Sequence, residues 1–362
     1  TACVPARVSL LTGMLPNRTP RVPKTYALQE GFWTVARAFR DEGYETALFG
    51  KLHAEPMRAD HGFQQSLLVE HLPAGYGKNA FDDYRLWVES TGRDDVRFIH
   101  TATPKLFPYP EEMHPTPWIT EHFIDFMKTR SDDKPYFAMV SFAHPHTPYD
   151  PPARYSAMFP PEAEAPPKTD FSVNQTLPLP FLKAANDNNP SGYFVPMRTH
   201  EMPPNHVAAV KASIRALNRQ IDDSIALLLQ EVDLNNTVIF YLSDHGDYGG
   251  ERGLLSKIPW IPFDDLARVP FFMAGANVPR GRTVDLPVQT FDFVPTALGM
   301  ANITFPYAGY DSVDLRTYFT NEGERLANRP IISETQMGFP MVLRGQIKDI
   351  WHNHTDTHLL YD

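Results

Sequence analysis

The clearest structural pattern in the chain lies in residues 206–247, HVAAVKASIRALNRQIDDSIALLLQEVDLNNTVIFYLSDHGD. Its first part repeats apolar residues with the period of a helix, which predicts a helix with one buried face. That face carries Val207, Val210, Ile214, Leu217, Ile221, Ile225 and Leu228. The segment Thr237 to Leu242 follows as a short, continuous apolar run, which is typical of a buried strand. A helix that leads directly into a buried strand predicts an α/β unit.

The same alternation of helix and strand recurs along the chain. We predict further helices at Pro5–Thr12, Thr34–Glu42, Ile119–Lys128 and Asp292–Met300. We predict further strands at Glu45–Phe49, Pro135–Phe142 and Val269–Met273. This order indicates an α/β fold with a mostly parallel sheet flanked by helices. Strand candidates at Ile331–Ser333 and Met341–Ile350 indicate the beginning of a smaller antiparallel C-terminal domain.

The pattern divides the chain into two predicted domains. Residues 1–306 form the α/β domain, and residues 307–362 form the incomplete start of a smaller α+β subdomain. Within the first domain, residues 145–204 hold 14 of the 35 prolines, a density that excludes long helices and central strands. This proline-rich excursion either covers the core irregularly or forms a wall that faces a substrate.

The composition excludes several classes of protein. The 362 residues contain 33 Lys and Arg against 43 Asp and Glu, a net charge of -10, and no basic block. A nucleic-acid partner is therefore not expected. No apolar run approaches the ~18 residues of a membrane span. The single cysteine, Cys3, excludes an intrachain disulfide and any multi-cysteine metal site.

Three predicted strands each run directly into a cluster of polar side chains. The clusters are Lys51 with His53, His144 with His146, and Asp244 with His245 and Asp247. In an open parallel sheet the carboxyl ends of the strands share one edge, so we expect these clusters to converge. Carboxylate and imidazole together suit a divalent cation. The positive charges of Lys51 and Lys257 suit an anionic substrate.

Cys3 lies at the N-terminus of the first predicted helix, where backbone amides and the helix dipole favour negative charge. Arg7 projects from the same face of that helix four residues later. An anion bound there would contact both side chains. The spacing alone leaves a second interpretation open, because most free cysteines are small, buried, apolar residues.

Five blocks of sequence resemble one known family, in that family's order. They are CVPARVSLLTG at 3–13, GYETALFGKLH at 43–53, PHTP around His146, SDHGDYGGERGLLSK at 243–257, and ARVP ending at Pro270. Together they resemble the formylglycine-dependent sulfatases of the alkaline phosphatase superfamily. The resemblance covers residues 1–301 and, more loosely, the tail that ends in LLYD. It implies a hydrolase that converts sulfate monoesters to alcohol and sulfate.

The resemblance implies a role for each matching residue. Cys3 would be oxidised to formylglycine (3-oxoalanine), whose hydrate is the nucleophile, and Arg7 would hold that hydrate. Lys51 and Lys257 would grip the sulfate oxygens, and His53 would orient the formylglycine. His146, with Lys257, would protonate the leaving oxygen. Metal-binding roles would fall on Cys3, Asp244 and His245. The expected ion is Ca2+, with Mg2+ or Mn2+ as alternatives. By contrast, we interpret His144 as structural and Asp247 as a turn residue.

The family's other metal pair, two adjacent aspartates that end the first strand, precedes the cysteine and is absent from this chain. We therefore expect a fragment that is truncated at both ends, lacks its first strand and is inactive alone. The absent strand would leave a gap in the sheet. Calcium prefers ~6–8 oxygen ligands, so the remaining ligands are expected before Thr1.

The resemblance also implies partners and a location. A sulfated small molecule or carbohydrate is the expected substrate, with carbohydrate favoured, and a formylglycine-generating or radical maturase would modify Cys3. A periplasmic or secreted location is favoured over a cytoplasmic one. Two other readings stay open: a phosphonate monoester or phosphodiester hydrolase of the same superfamily, and a non-catalytic homologue that binds sulfated glycans. The block GKLH at 50–53 favours a sulfatase over the first of these.

Overall fold

The computed structural model describes most of the chain, with gaps. The described residues are 3–19, 27–70, 82–93, 103–166, 205–257, 260–307, 311–320, 323, 326–334 and 338–361. Helices are α1 Cys3–Thr12, α2 Val35–Asp41, α3 Asp83–Ser90, α4 Pro115–Thr129, α5 Ala153–Ser156, α6 His206–Leu228, α7 Asp264–Ala267 and α8 Phe293–Met300. Short 3-10 helices occupy Glu111–Met113, Pro161–Ala163, Leu229–Glu231, Glu251–Gly253, Thr290–Asp292 and Leu315–Phe319.

Nine strands form three sheets among the described residues. They are β1 Glu45–Gly50, β2 Gln65–Leu68, β3 Tyr136–Ser141, β4 Val238–Leu242, β5 Phe271–Gly275, β6 Ile331–Ser333, β7 Met341–Arg344, β8 Ile347–His352 and β9 Thr357–Tyr361. The first sheet has the order β2-β1-β3 and is parallel throughout. The predicted α/β class with a parallel sheet is therefore confirmed.

The central strand β1 is buried on both faces, as expected for a parallel sheet covered by helices. Its alternate residues enter different parts of the core. Phe49 packs with Phe123 and other residues of α4, whereas Leu48 packs with Val8 of α1. The strand thereby fixes α1 on one side of the sheet and α4 on the other.

The strand predicted at Val269–Met273 is displaced by two residues and pairs antiparallel with β4. An apolar run does not reveal strand direction, and the burial expected of such a run is incomplete here, because alternate residues of β5 are exposed and Phe272 is 62% exposed. In the described part of the chain, β4 and β5 form a sheet of their own, separate from β1–β3. The hydroxyls of Tyr136 and Thr237 lie 3.4 Å apart where β3 and β4 begin.

The C-terminal sheet is antiparallel with the order β6-β7-β8-β9, which confirms a smaller antiparallel sheet at this end. The single strand predicted at Met341–Ile350 is wrong, because β7 and β8 form a hairpin. Gly345 takes a left-handed φ of 61° at the turn, which glycine adopts at little cost. The sheet packs on Tyr248, Phe263 and Leu266 through Met341 and Ile350. The domain boundary at 306 stays a prediction.

Residues 167–204 of the proline-rich excursion lie outside the described residues, and its described part includes α5. No helix in the described ranges is long and apolar enough to cross a membrane.

Candidate active site

The thiol of Cys3 lies where the first residue of α1 meets loops from three other parts of the chain. Lys257 Nζ donates to its Sγ over 2.7 Å, and Lys51 Nζ lies 3.9 Å from the same atom. His245 Nε2 lies 2.9 Å from the sulfur on another side. All of these side chains except His245 are buried. Residues up to 254 positions apart in sequence thus surround one sulfur atom.

The guanidinium of Arg7 joins three elements of the site. Its Nε donates to Oδ2 of Asp244 over 2.8 Å. Its Nη1 donates to the backbone oxygen of Lys51 over 2.6 Å and to Oγ of Ser141 over 2.9 Å. Arg7 therefore connects the ends of β1, β3 and β4, and a lysine ammonium could not make all three directed contacts.

Asp244 and His245 follow β4 directly and offer ligand atoms for a cation. The ligand atoms of Cys3, Asp244 and His245 all lie within 4.8 Å of one another. Nδ1 of His245 lies 2.7 Å from the oxygen of Gly246, and because a carbonyl only accepts, Nδ1 carries a proton. A ring held in this way presents Nε2 to the site, the arrangement usual for metal-binding histidines. These residues therefore fit a divalent cation.

A close backbone approach fixes the loop that carries this pair. The amide of Gly246 donates to the oxygen of Leu266 over 2.9 Å. A Cβ at position 246 would lie 1.9 Å from the oxygen of Asp265, so only glycine allows this contact. The loop after β4 is thereby held against α7, with Asp244 and His245 directed at Cys3.

His146 and Lys257 form a proton-sharing pair. Nδ1 of His146 lies 2.8 Å from the oxygen of Thr147, so this nitrogen carries the ring proton. Nε2 is then an acceptor, and Lys257 Nζ donates to it over 2.8 Å. Burial, with the charges of Lys257 and Lys51, holds the pKa of His146 well below its ordinary value. The imidazole is therefore neutral and the nearby proton resides on Lys257.

Lys51 and His53 lie in the loop that leaves β1. Gly50 has a φ of 104°, and a Cβ there would lie 2.0 Å from the oxygen of Ser141. The amide of Lys51 donates to that same oxygen over 2.9 Å. His53 takes a left-handed φ of 51°, which is uncommon for a residue with a side chain. The pKa of His53 is lowered by burial and by Lys51.

The electrostatics of the site favour negative charge at Cys3. Burial alone would raise the pKa of the Cys3 thiol, but Lys257, Lys51 and His245 outweigh it and hold the pKa well below its ordinary value. Burial also opposes ionisation of Asp244, yet His245 and Arg7 keep the pKa of that carboxyl far below its usual range. Burial lowers the pKa of Lys51, because a desolvated ammonium without a close carboxylate is costly.

The expected convergence of the polar clusters is present in the structure. Seven of the predicted side chains lie around one point through the contacts described above: Cys3, Arg7, Lys51, His146, Asp244, His245 and Lys257. His53 enters through the loop that it shares with Lys51, and its pKa is also influenced by Cys3. Their catalytic roles stay predictions.

A second group of potential ligands, His114, His144 and Asp150, lies beside the loop that carries His146. His144 Nε2 is 3.2 Å from Oδ1 of Asp150. Nδ1 of His114 accepts the Thr116 amide at the start of α4, so its proton lies on Nε2. A protonated nitrogen is not a metal ligand. This group is consistent with the structural role expected for His144.

Sequence reasoning missed two residues that touch the site. Ser141, the last residue of β3, accepts from Arg7, and Glu70 accepts from backbone amides of the Lys51–His53 loop. Glu70 carries the signal used for the other clusters, a polar residue at the end of an apolar run, whereas Ser141 lies inside the predicted strand Pro135–Phe142. Glu70 was overlooked because β2 itself, which begins with Gln65 and Ser66, was not predicted.

Comparison with known proteins identifies the class. The family model for sulfatases matches residues 1–303, and the chain belongs to the sulfatase family, within the alkaline phosphatase superfamily. The chain is 29% identical to an arylsulfatase of Clostridium perfringens over 340 residues, covering 86% of this chain and 67% of that protein.

Two further relatives have narrower names. An ulvan-active sulfatase of Formosa agariphila is 27% identical, with 93% of this chain and 60% of that protein covered. A choline-sulfatase of Rhizobium meliloti is 28% identical, with 83% of this chain and 59% of that protein covered. The chain thus spans 59 to 67% of the length of these three relatives.

Solved structures show the same fold. A phosphonate monoester hydrolase of Silicibacter pomeroyi superposes with a TM-score of 0.82 at 18% identity, covering 100% of this chain and 80% of that one. A protein solved in complex with its substrate D-glucosamine-2-N,6-O-disulfate gives a TM-score of 0.71 at 17% identity, with 100% and 81% covered. At such identities the likeness concerns the fold alone.

Proposed function

We propose that this chain carries the catalytic centre of a sulfatase that hydrolyses sulfate monoesters to alcohol and sulfate. In this proposal residues 1–306 are the catalytic α/β domain and residues 307–362 begin a smaller subdomain. The family membership and the three sulfatase relatives support the reaction class.

The observation that carries the proposal is the pair of buried lysines directed at Cys3. Lys51 is 3% and Lys257 is 8% exposed, and among the described residues neither forms an ion pair with a carboxylate. Two desolvated ammonium groups are costly unless an anion joins them. A sulfate group beside Cys3 would receive both charges, which also stabilise the additional negative charge of the transition state.

We propose Cys3 as the residue that is oxidised to formylglycine. In the mature protein the hydrated aldehyde would supply the hydroxyl that attacks sulfur. Arg7 would hold the hydrate through the guanidinium edge that already contacts Asp244, and His53 would orient it. The low pKa of the Cys3 thiol supports the assignment, because the same charges favour an oxyanion at this position.

The leaving oxygen needs a proton, and Lys257 with His146 can provide it. The Lys257 ammonium donates to Nε2 of neutral His146. The two nitrogens lie 2.8 Å apart and share one proton. Transfer of that proton to the leaving alkoxide would leave the pair neutral, and a proton from solvent restores it. Without this proton an alkyl alkoxide would be a poor leaving group.

Asp244 and His245, with the modified Cys3, would hold a divalent cation, and Ca2+ suits the ionised carboxylate, with Mg2+ or Mn2+ as alternatives. The cation would supply positive charge beside the nucleophile. Arg7 keeps Asp244 ionised and in place over 2.8 Å, which is its contribution to binding the metal.

The names of the relatives favour a carbohydrate sulfate as substrate. One relative is ulvan-active, and one solved neighbour holds a disulfated glucosamine. An extracellular sulfatase homologue of Drosophila melanogaster, 25% identical, favours a periplasmic or secreted location. A formylglycine-generating enzyme or radical maturase is the partner that the chemistry of Cys3 requires.

Turnover of paired substrates tests the proposal. The protein is expressed from its complete gene together with a maturase, and hydrolysis of an aryl sulfate and of the matching aryl phosphonate is measured with calcium. We expect the sulfate to be preferred, and the Cys3 peptide to lose about 18 Da on maturation. Cys3→Ala should abolish turnover, whereas Lys134→Met, at an exposed lysine outside the site, should not.

Two outcomes would overturn the proposal. Preference for the aryl phosphonate would indicate a phosphonate monoester hydrolase, the class of one structural neighbour. An unmodified Cys3 peptide together with glycan sulfate binding and no turnover would indicate a non-catalytic homologue.

A further inference from the structure

We propose that Glu70 is a positioning residue, whose carboxylate fixes the backbone of residues 51–53 so that Lys51 and His53 face Cys3. The inference rests on the proposed function, since it concerns how that site is assembled. Glu70 lies two residues after the end of β2 and is 3% exposed.

Both carboxylate oxygens of Glu70 accept hydrogen bonds from the loop that carries Lys51 and His53. Oε1 accepts from the amide of Leu52 over 2.8 Å and from the amide of His53 over 3.0 Å. Oε2 accepts from the amide of His53 over 3.0 Å. Hydrogen bonds from backbone amides to a buried carboxylate are stronger than those between neutral groups.

The loop needs such an anchor because its backbone is strained. His53 has a φ of 51°, in the left-handed region that costs energy for a residue with a side chain. Strained backbone persists only where surrounding contacts hold it. Glu70 provides the side-chain contacts at that residue, and the backbone contacts of Lys51 hold the position before it.

Lys51 is placed by the same loop. Its amide donates to Ser141 and its carbonyl accepts from Arg7, so its backbone connects β3 and α1. Its Nζ lies 3.9 Å from Sγ of Cys3. If Leu52 and His53 lost their hydrogen bonds to Glu70, the loop would be free to rotate. The ammonium of Lys51 would then no longer be held toward Sγ of Cys3.

Glu70 is itself held by a second acidic residue. Its amide donates to Oδ2 of Asp82 over 2.6 Å. The other carboxylate oxygen of Asp82 accepts from the amide of Arg85 and caps α3. A continuous set of hydrogen bonds therefore connects the start of α3, through Asp82 and Glu70, to the loop beside Cys3.

Three substitutions at Glu70 test the assignment in the matured protein. Glu70→Ala removes the acceptor. Glu70→Asp keeps the charged carboxylate but shortens the side chain by one methylene. We expect both to lower kcat by about 10- to 100-fold with a smaller change in KM, since a small displacement of Lys51 affects the transition state most. Glu70→Gln keeps Oε1 for both amides but places an amide donor where Oε2 accepts from His53, so its kcat should fall, by less than that of Glu70→Asp.

Hydrogen exchange and a matched control separate positioning from a loss of stability. Exchange at the amides of Leu52 and His53 should accelerate in Glu70→Ala and Glu70→Asp. Asp314→Ala removes another carboxylate that accepts a backbone amide, that of Arg316, outside the site. It should lose stability without lowering kcat. If Glu70→Ala does not fold, Glu70→Asp supplies the comparison.

The outcomes distinguish the two proposals. Full kcat in Glu70→Asp, despite faster exchange at residues 52 and 53, would overturn the role of Glu70 and leave the proposed function standing. A kcat for Glu70→Gln as low as that of Glu70→Asp would also overturn it. A matured parent protein that is expressed from the complete gene and shows no sulfatase turnover would overturn the proposed function and, with it, the role assigned to Glu70.

Discussion

The phenol of Tyr149 donates a hydrogen bond of 2.8 Å to Oδ2 of Asp247. Tyr149 belongs to the loop after β3, which carries His146, and Asp247 belongs to the loop after β4, which carries Asp244. The second oxygen of Asp247 accepts from the amide of Gly249 over 2.8 Å, the contact expected of a turn residue. One buried contact therefore fixes the proton-sharing pair relative to the candidate metal ligands.

Substitution Tyr149→Phe should destabilise the protein by about 1–3 kcal/mol, because it leaves a buried carboxylate with one donor fewer. Burial already raises the pKa of Asp247, and loss of the phenol should raise that pKa further. Urea unfolding measures the effect. Tyr241→Phe is the control, because Tyr241 is 41% exposed. Equal stability of the two variants would contradict the importance of the contact.

Substitution Lys257→Met should raise the pKa of the Cys3 thiol in the unmodified protein. Lys257 contributes the largest charge effect that lowers this pKa, against the opposing effect of burial. The chain contains one cysteine, so the ultraviolet absorbance of the thiolate as a function of pH reports on Cys3 alone. Lys134→Met, at an exposed lysine, should leave the titration unchanged. An unchanged midpoint in Lys257→Met would contradict the assigned electrostatics.

Substitution Arg7→Lys should lower kcat/KM for an aryl sulfate by about 100-fold, because an ammonium cannot replace three directed guanidinium contacts. The variant keeps the positive charge and so tests geometry rather than charge. Arg40→Lys, at a surface pair with Asp60, should stay within about twofold of the parent value. Nearly full activity in Arg7→Lys would show that the charge alone suffices.

The contribution of Asp82 to the stability of the protein should fall as the pH rises from about 4 to about 6. Burial raises the pKa of this carboxyl from 3.8 to about 6 in the folded state. The folded protein thus binds the proton more tightly than the unfolded chain, and ionisation disfavours folding by about 3 kcal/mol. Asp82→Asn should remove this contribution, so the difference in unfolding free energy between the variant and the parent protein should change across this window in urea titrations at several pH values. Parallel curves for the two proteins would contradict this prediction.

Much of the site was predictable because its signals are local. Lys51, His146 and Asp244 each follow a predicted strand within a few residues, and these strand ends meet although, among the described residues, β4 lies in a different sheet from β1 and β3. The tautomers of His146 and His245 were not predictable, since they depend on the carbonyls of Thr147 and Gly246.

The parts that sequence reasoning missed depend on contacts between distant segments. The antiparallel direction of β5 and the role of Glu70 are set by partners that no periodicity reveals. A carboxylate that accepts from amides 17 and 18 residues away looks, in sequence, like any acidic residue after a strand. The hairpin at Gly345 had a signal, a glycine within an apolar run, which marks a turn.

Cys3 is only 5% exposed, and one of the residues that enclose it, Lys257, lies 254 positions later. During synthesis the thiol therefore leaves the ribosome well before that lysine exists. At ordinary translation rates the interval is roughly 10 to 50 s. Under the proposed function, an enzyme that oxidises this cysteine would find it accessible on the nascent or unfolded polypeptide, so the order of oxidation and folding would decide whether each molecule becomes active.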